Sequence, residues 1–478
     1  MKATLIIASD EWRYWLRSKL ALAVVAIFLV ILIFVSLLTA VRMQAESHER
    51  AHYQADSEQI FLSQPDRHPH RMVHYGHYVF RAPMPLAIFD PGLDSVTGQT
   101  MFLEGHRQNS ATFSASESSA NLGGLSWLTP ALIYQVFAPL LIIVLGHGAV
   151  TREREAGALA PLLAQGLSGR ILLAGKKLAL FLFVMLLLVP LVVSALVSLN
   201  SGESQLAAIS LVGVYLVYLS IWIALTLLIS SVLEKRSSVI ATLAAIWLAL
   251  TLVLPAVAVN VSSHATPLAG KIETELTMLT EVRDLSDGHD VDDSVYNNVE
   301  AGLLEEYGAD RVEDLEVNIR GVLAQMAEAE LTKTLNVYAE RRQEAEMRQG
   351  ELLGKHGWLT PALAVAFASR SLSGTDLVHY HRFLQQAEEL RFEFVQGLNR
   401  THAEELSYID DINRNRDEES WERARVDASN WQVLDEFYLE PASASVRLAG
   451  AGSSIWMLVV WLAVLSGMLI WTGGRLRL

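Results

Sequence analysis

The stretch from Thr151 to Leu180, TREREAGALAPLLAQGLSGRILLAGKKLAL, decides how this chain is read. It opens on alternating charge, Arg152-Glu153-Arg154-Glu155, and passes Gly157 into a Leu-rich helical piece containing Leu162 and Leu163. A Gly-Leu-Ser-Gly-Arg turn and a second basic cluster (Arg170, Lys176, Lys177) follow. Long apolar runs flank it on both sides. A short, positively charged connection between membrane spans belongs in the cytoplasm. With that connection placed inside, the neighbouring runs become spans 2 and 3, and the remaining topology follows outward from them.

The formal net charge is -15 and the mean hydropathy +0.29, an average over two unlike kinds of sequence. Some segments are almost purely apolar for about 20 residues, the length that crosses a bilayer core. Others are polar, and between residues 262 and 452 acidic side chains outnumber basic ones about two to one. Such a surface excludes nucleic acid as a partner, since phosphate neutralisation needs clustered Lys and Arg. The absence of cysteine excludes disulfides, thiolate metal sites and Cys nucleophiles. The first apolar run is too long for a signal h-region and has no A-x-A-like site after it, so it reads as an uncleaved span.

The segments then fall in order. Residues 1–19, with Trp12, Trp15, Leu16 and Lys19 at helical spacing, read as a cytoplasmic amphipathic helix at the lipid surface. Span 1 covers 20–41, and Arg13, Arg17 and Lys19 before it place the N-terminus inside. Residues 42–126 form a small mixed extracytoplasmic lobe broken by turns such as Asp90-Pro91-Gly92. Span 2 covers 127–150, the basic connection 151–177, span 3 178–199, span 4 205–233 and span 5 238–259. Residues 262–452 read as a large, mostly helical extracytoplasmic domain, with breaks near Asp287-Gly288, Tyr307-Gly308 and Gly350 to Gly357. Span 6 covers 453–471, and Arg475 and Arg477 close the chain inside. The fold class is thus an all-α polytopic membrane protein with six transmembrane helices. Pro139, Pro190 and Pro255 are candidate hinges within the spans. Trp-Leu-Thr-Pro-Ala-Leu occurs at Trp127 to Leu132 and again at Trp358 to Leu363. The second copy opens an apolar piece too short to cross, expected to lie on or dip into the outer leaflet.

Motifs that would carry chemistry are few. Gly169 to Lys177 imitates a P-loop, but five residues separate its glycines instead of four, and Lys177 stands where Ser or Thr must hold magnesium. The chain therefore binds no nucleotide or other cofactor of its own. His68, His70, His74 and His77 fall within ten residues, with His48, His52 and His106 nearby. Imidazole clusters bind copper, zinc or nickel, yet no ligand geometry is legible in this spacing, and scattered histidines are the plainer account. Asp376 before His379 and His381 reads better as a helix cap than as an acid–base pair. No G-x-S-x-G occurs, and the spans are almost free of ionisable residues apart from His147 near the inner end of span 2. An intramembrane enzyme would place such residues there, so no catalytic site is expected.

This pattern resembles the permeases of type-2 ABC transporters. The resemblance rests on Glu11-Trp12-Arg13 to Arg17-Ser18, on Arg152 to Gly157 with Leu162-Leu163, and on Gly169-Arg170 to Lys176. A subgroup with an enlarged outer domain, related to permeases of multicopper-enzyme maturation, resembles two further stretches. The first runs from His74-Tyr75-Gly76 through Asp90-Pro91-Gly92 to His106 and Asn109. The second runs from Tyr307-Gly308 through Val312 to Leu315, Asn318 and Arg320-Gly321 to Gly374-Thr375-Asp376, Phe383 and Leu398-Asn399. Glu316 replaces the subgroup's usual proline, and His74 and His106 match structural positions. The resemblance implies a bacterial inner-membrane exporter subunit with both termini cytoplasmic and the large domain periplasmic. It also implies that Arg152, Glu153, Arg154, Glu155, Gly157, Leu162 and Leu163 contact a separate ATPase, which binds ATP and Mg. A second permease copy or sibling, membrane lipids and an extracytoplasmic protein are the other expected partners. A rival expectation is mechanotransmission, in which the ATPase stroke reshapes the outer domain with nothing crossing the bilayer.

Overall fold

Six helices are long and apolar enough to cross a membrane. A computed structural model describes residues 2–114, 128–283, 293–433 and 437–476. The expected start of span 2 at Trp127, the break at Asp287-Gly288 and Arg477 lie outside the described residues. Span 1 is one helix from Lys19 to Leu62, opened by the Ser18 side chain accepting from the Ala21 amide. Its 44 residues measure about 66 Å at ~1.5 Å per residue, about twice the hydrocarbon thickness. Residues 42–62, expected to begin an irregular lobe, are therefore a helical extension. Hydropathy marks only the apolar part of a helix, and Glu46, Arg50, Gln54 and Glu58 continue it through side-chain contacts along one face. The same reason extends span 3 to Gly169–Asn200, span 5 to Arg236–Ala265 and span 6 to Ala444–Arg475, while span 4 is Gln205–Val232. The span 4 helix forms the centre of the bundle, with Tyr215, Tyr218, Leu219, Trp222 and Ile223 fully buried.

Each proline inside a span sits at a departure from α geometry. A π segment, Ile133–Phe137, precedes Pro139, and another, Ala249–Val253, precedes Pro255. Pro190 lies two residues past a break at Leu188. A proline cannot donate to the preceding turn, and in hydrocarbon no water takes its place. Side chains from other helices do so. The Tyr218 hydroxyl donates to the Gln135 carbonyl at 2.5 Å, Trp247 Nε1 to Val136 at 2.8 Å, and Thr360 Oγ1 to Leu250. Tyr218→Phe is expected to cost about 1–3 kcal/mol by leaving a buried carbonyl without its donor. The loss should shrink in a Pro139→Ala background, where the backbone N–H returns; melting curves of the four proteins test this.

The second Trp-Leu-Thr-Pro-Ala-Leu copy starts the helix Pro361–Ser373, with Thr360 capping the Ala362 amide, as Thr129 caps the Leu132 amide in the first copy. This helix does not lie along a leaflet. It is buried between spans 4 and 6, with Ala364, Val365, Ala368 and Leu372 inward. Small residues let it approach closely, and Gly450 leaves room for the Ser371 hydroxyl.

The two polar insertions build a single domain. After span 1, a short helix (Pro69–Val73) leads to a two-stranded antiparallel sheet, His77–Phe80 with Thr100–Leu103. Its Val79, Met101 and Leu103 pack on Phe383 and Ala387 of the helix Leu377–Glu405. Phe61, Met72 and Val73 join Phe394, Val395, Leu398 and Trp431 in a second core. The helix Ile319–Lys355 packs alongside Leu377–Glu405. It continues through Gly350 and Gly354, because an isolated glycine costs only about 1 kcal/mol in a helix, and ends at Lys355, within the expected break from Gly350 to Gly357. The expected break at Tyr307-Gly308 is present, with Gly308 at φ +62°. Asp376 caps Leu377–Glu405 through the His379 amide.

Candidate coupling interface

The residues after span 2 fold through short-range bonds. Ser230 Oγ donates to the His147 carbonyl at 2.9 Å and accepts from the Val150 amide at 3.1 Å, tying the turn to span 4. Thr151–Glu155 is then a short helix. Gly157, at φ +68°, reverses the chain into a second helix, Leu159–Ala164, and Ser168 caps the start of span 3. The P-loop imitation thus lies within a helix.

Arg152, Glu153, Arg154 and Lys176 turn inward, while Glu155 and Arg170 stay exposed. Arg152 pairs with Glu11 of the N-terminal helix (Lys2–Arg17) and with Glu153, and its guanidinium lies 3.9 Å from the centre of the Tyr14 ring. Lys176 of span 3 pairs with both Glu11 and Glu153. Two acids and two bases form a neutral quartet, of which Glu11 and Lys176 are each 2 % exposed. Charges buried this deeply persist when each has its counter-charge and hydrogen bonds. Arg154 donates to the Ser231 carbonyl at 2.9 Å and to Leu233, closing the C-terminal end of the span 4 helix. Glu155 accepts from the Arg236 backbone N–H at 2.8 Å.

The N-terminal helix completes the assembly by packing along span 3. Trp12 Nε1 donates to Ala179 and Trp15 Nε1 to Leu145, and Gly175 gives way to Ile7, which a Cβ there would meet at 2.6 Å. The expected membrane-surface helix therefore uses its Trp face for protein contacts.

Of the seven residues assigned to ATPase contact from the sequence, Arg152, Glu153, Arg154 and Glu155 bind neighbouring parts of this chain, and Leu162 and Leu163 are half-buried. The outward face holds the seventh, Gly157, and the exposed Glu155, together with Ala156, Ala160, Pro161, Ala164 and Gln165. Beside it a cleft of about 600 Å3 is lined by Leu163, Leu167, Arg170, Gly473, Gly474 and Leu476. Glu11 had gone unassigned as a site residue. Its signal is the spacing of Ala8, Glu11 and Trp15, which places an acid on the buried face.

The four histidines separate. His77 Nδ1 lies 3.4 Å from Ser57 Oγ, and burial lowers its pKa to about 4. His68 Nε2 and His402 Nε2 each lie 3.0 Å from the Asp411 carboxylate, which also pairs with Arg414 and Arg320. His70 and His74 come together with His106.

Two family models match. One, described as an ABC-2 family transporter protein, covers residues 5–299, and the other, a domain of unknown function (DUF3526), covers 273–439. No curated protein matches the chain.

Proposed function

The chain belongs to the ABC-2 transporter family, and from that premise we propose that it is the membrane half of an exporter whose separate ATP-binding subunit docks on the 151–168 connection. As a permease of this family it is a multi-pass membrane transport subunit. The observation that carries the proposal is the division of the connection into an anchored part and a presented part. The Glu11–Arg152–Glu153–Lys176 quartet and the Arg154 bonds fasten it to the N-terminal helix, span 3 and span 4. The helix Leu159–Ala164 then offers Ala160, Pro161 and Ala164 outward. Force applied to that small apolar face reaches three elements through buried charge pairs, and packed helices shift as units.

In this reading ATP and Mg are held by the partner subunit, both termini lie in the cytoplasm, and the polar domain lies outside a bacterial inner membrane. The basic 151–177 connection supports that orientation. A second permease copy completes the path.

Mechanotransmission stays as a second reading because the spans are joined directly to the polar domain. Gln135 of span 2 donates to Tyr215 of span 4, Tyr215 to Ser369, and Ser369 to Asp90 of the polar domain. Proteoliposomes with the ATP-binding subunit separate the two readings: flux with hydrolysis supports export, and hydrolysis that changes the polar domain without flux supports the second.

Ala160→Arg and Ala164→Arg are expected to abolish co-purification of the ATP-binding subunit or lower its turnover at least about tenfold, with permease stability kept within ~0.5 kcal/mol, as for surface changes generally. Reversing Arg152 and Arg154 should instead destabilise the permease itself, since it unpairs buried Glu11 and frees the end of span 4. Unchanged turnover and co-purification in the Ala160→Arg and Ala164→Arg variants would remove the docking face.

A further inference from the structure

We propose that His70, His74 and His106 form a binding site for a divalent transition-metal ion of borderline softness, with Zn2+ the closest geometric match. One nitrogen from each ring lies within 4.8 Å of the others, and His70 Nε2 to His74 Nε2 is 3.3 Å. Tetrahedral zinc with Zn–N bonds of ~2.0–2.1 Å places its ligand nitrogens about 3.3–3.4 Å apart. One pair already has that spacing, and the third nitrogen, from His106, lies within 4.8 Å of both.

The backbone presents these rings deliberately. His70 lies in the helix Pro69–Val73 and His74 is its C-terminal cap, so the two share one face at i and i+4. His106 reaches them from the turn after the second strand, held at φ +62°. A non-glycine residue rarely adopts that conformation, and such residues gather where a side chain must be aimed. The Glu328 carboxylate is fully buried, stands 3.0 Å from His106 Nδ1 and accepts the His106 backbone N–H. A carboxylate behind a metal-binding imidazole fixes its ring orientation and raises its basicity.

The other histidine cluster does not offer this chemistry. The Asp411 carboxylate between His68 and His402 already carries Arg414 and Arg320, and a divalent cation there would face two guanidinium groups. At His70, His74 and His106 three rings meet at a partly open surface with no guanidinium in the set, leaving a fourth position for water or an incoming ligand. The bound ion would tie the helix Pro69–Val73 to the strand turn, and through Glu328 to the helix Ile319–Lys355.

The test uses the full chain without a histidine tag, stripped with EDTA and held in lipid nanodiscs. Zn2+ is titrated against a chromophoric chelator, and Co2+ is added as a spectroscopic reporter of four-coordinate nitrogen ligation. One ion per chain is expected, with at least tenfold weaker binding in His74→Ala and in His70→Ala, and none of that loss in His52→Ala. His74 is exposed and His70 half-buried, so both variants keep the fold, which circular dichroism checks. Absence of stoichiometric Zn2+ binding overturns the proposal, as does equal affinity in wild type and His70→Ala/His74→Ala.

Discussion

Arg391→Ala is expected to destabilise the polar domain by about 3–5 kcal/mol, the cost of removing one partner from a buried ion pair. Arg391 is 1 % exposed. Its guanidinium donates to Glu388 at 2.7–3.0 Å, to Glu328 at 2.6 Å and to the Thr332 hydroxyl at 2.9 Å, joining the two longest helices of the domain. Burial pushes both carboxyls up. His106 and Arg391 together bring Glu328 below the ordinary carboxylate value, whereas Glu388 stays above it. Removing the guanidinium therefore leaves the buried Glu328 with His106 alone and the buried Glu388 without its counter-charge. Hydrogen exchange should show the amides from Leu323 to Leu335 opening about 10^2 to 10^3 times more readily, since each tenfold corresponds to ~1.4 kcal/mol. Arg391→Met with Glu388→Gln should recover part of the loss. Wild-type protection in Arg391→Ala would show that the cluster contributes nothing net.

Acid should loosen the same domain through a different pair. Burial lowers His68 to about 2 and His402 to about 3, with Arg414 and Arg320 adding to the effect on both. Both rings stay neutral in the folded protein while the unfolded chain takes up protons near pH 6.5. The unfolded state binds more protons, so stability falls as pH drops below that value and levels off near the folded values. Each ring accounts for about 2 kcal/mol at pH 5, because one pH unit in this window is worth ~1.36 kcal/mol. Unfolding of the polar domain, followed by the emission of buried Trp431, should shift accordingly between pH 7 and pH 5. In His402→Gln the shift should roughly halve, and a pH-independent transition would contradict this account.

The set of membrane helices was legible because hydrocarbon imposes one requirement, a long apolar helix. What escaped were pairings that close over long separations. Lys176 reads as one basic residue among several until Glu11, 165 positions earlier in the chain, meets it. The 151–155 charges look like a surface motif, but the N-terminal helix draws Arg152 and Glu153 inward and Arg154 closes the end of span 4. His106 could not be joined to His70 and His74 from spacing alone, since a strand pairing brings them together. The helix of span 1 runs on past its apolar stretch because a helix stops where its capping and side-chain contacts stop, and hydropathy does not register that point. The joining of the two polar insertions depends on Phe61 and Met72 meeting Phe394 and Trp431, contacts with no local signature.

The uninterrupted helix from Lys19 to Leu62 has a mechanical consequence. Over about 66 Å, a pivot of roughly 5° at its lipid-embedded end carries its far end through about 6 Å, close to one helical turn. Phe61 sits at that far end, wedged into the core with Phe394 and Trp431. The helix thus acts as a lever arm with its load attached directly. A tilt too small to open a pore is still large enough to displace the packing of the distal domain by a full residue's width.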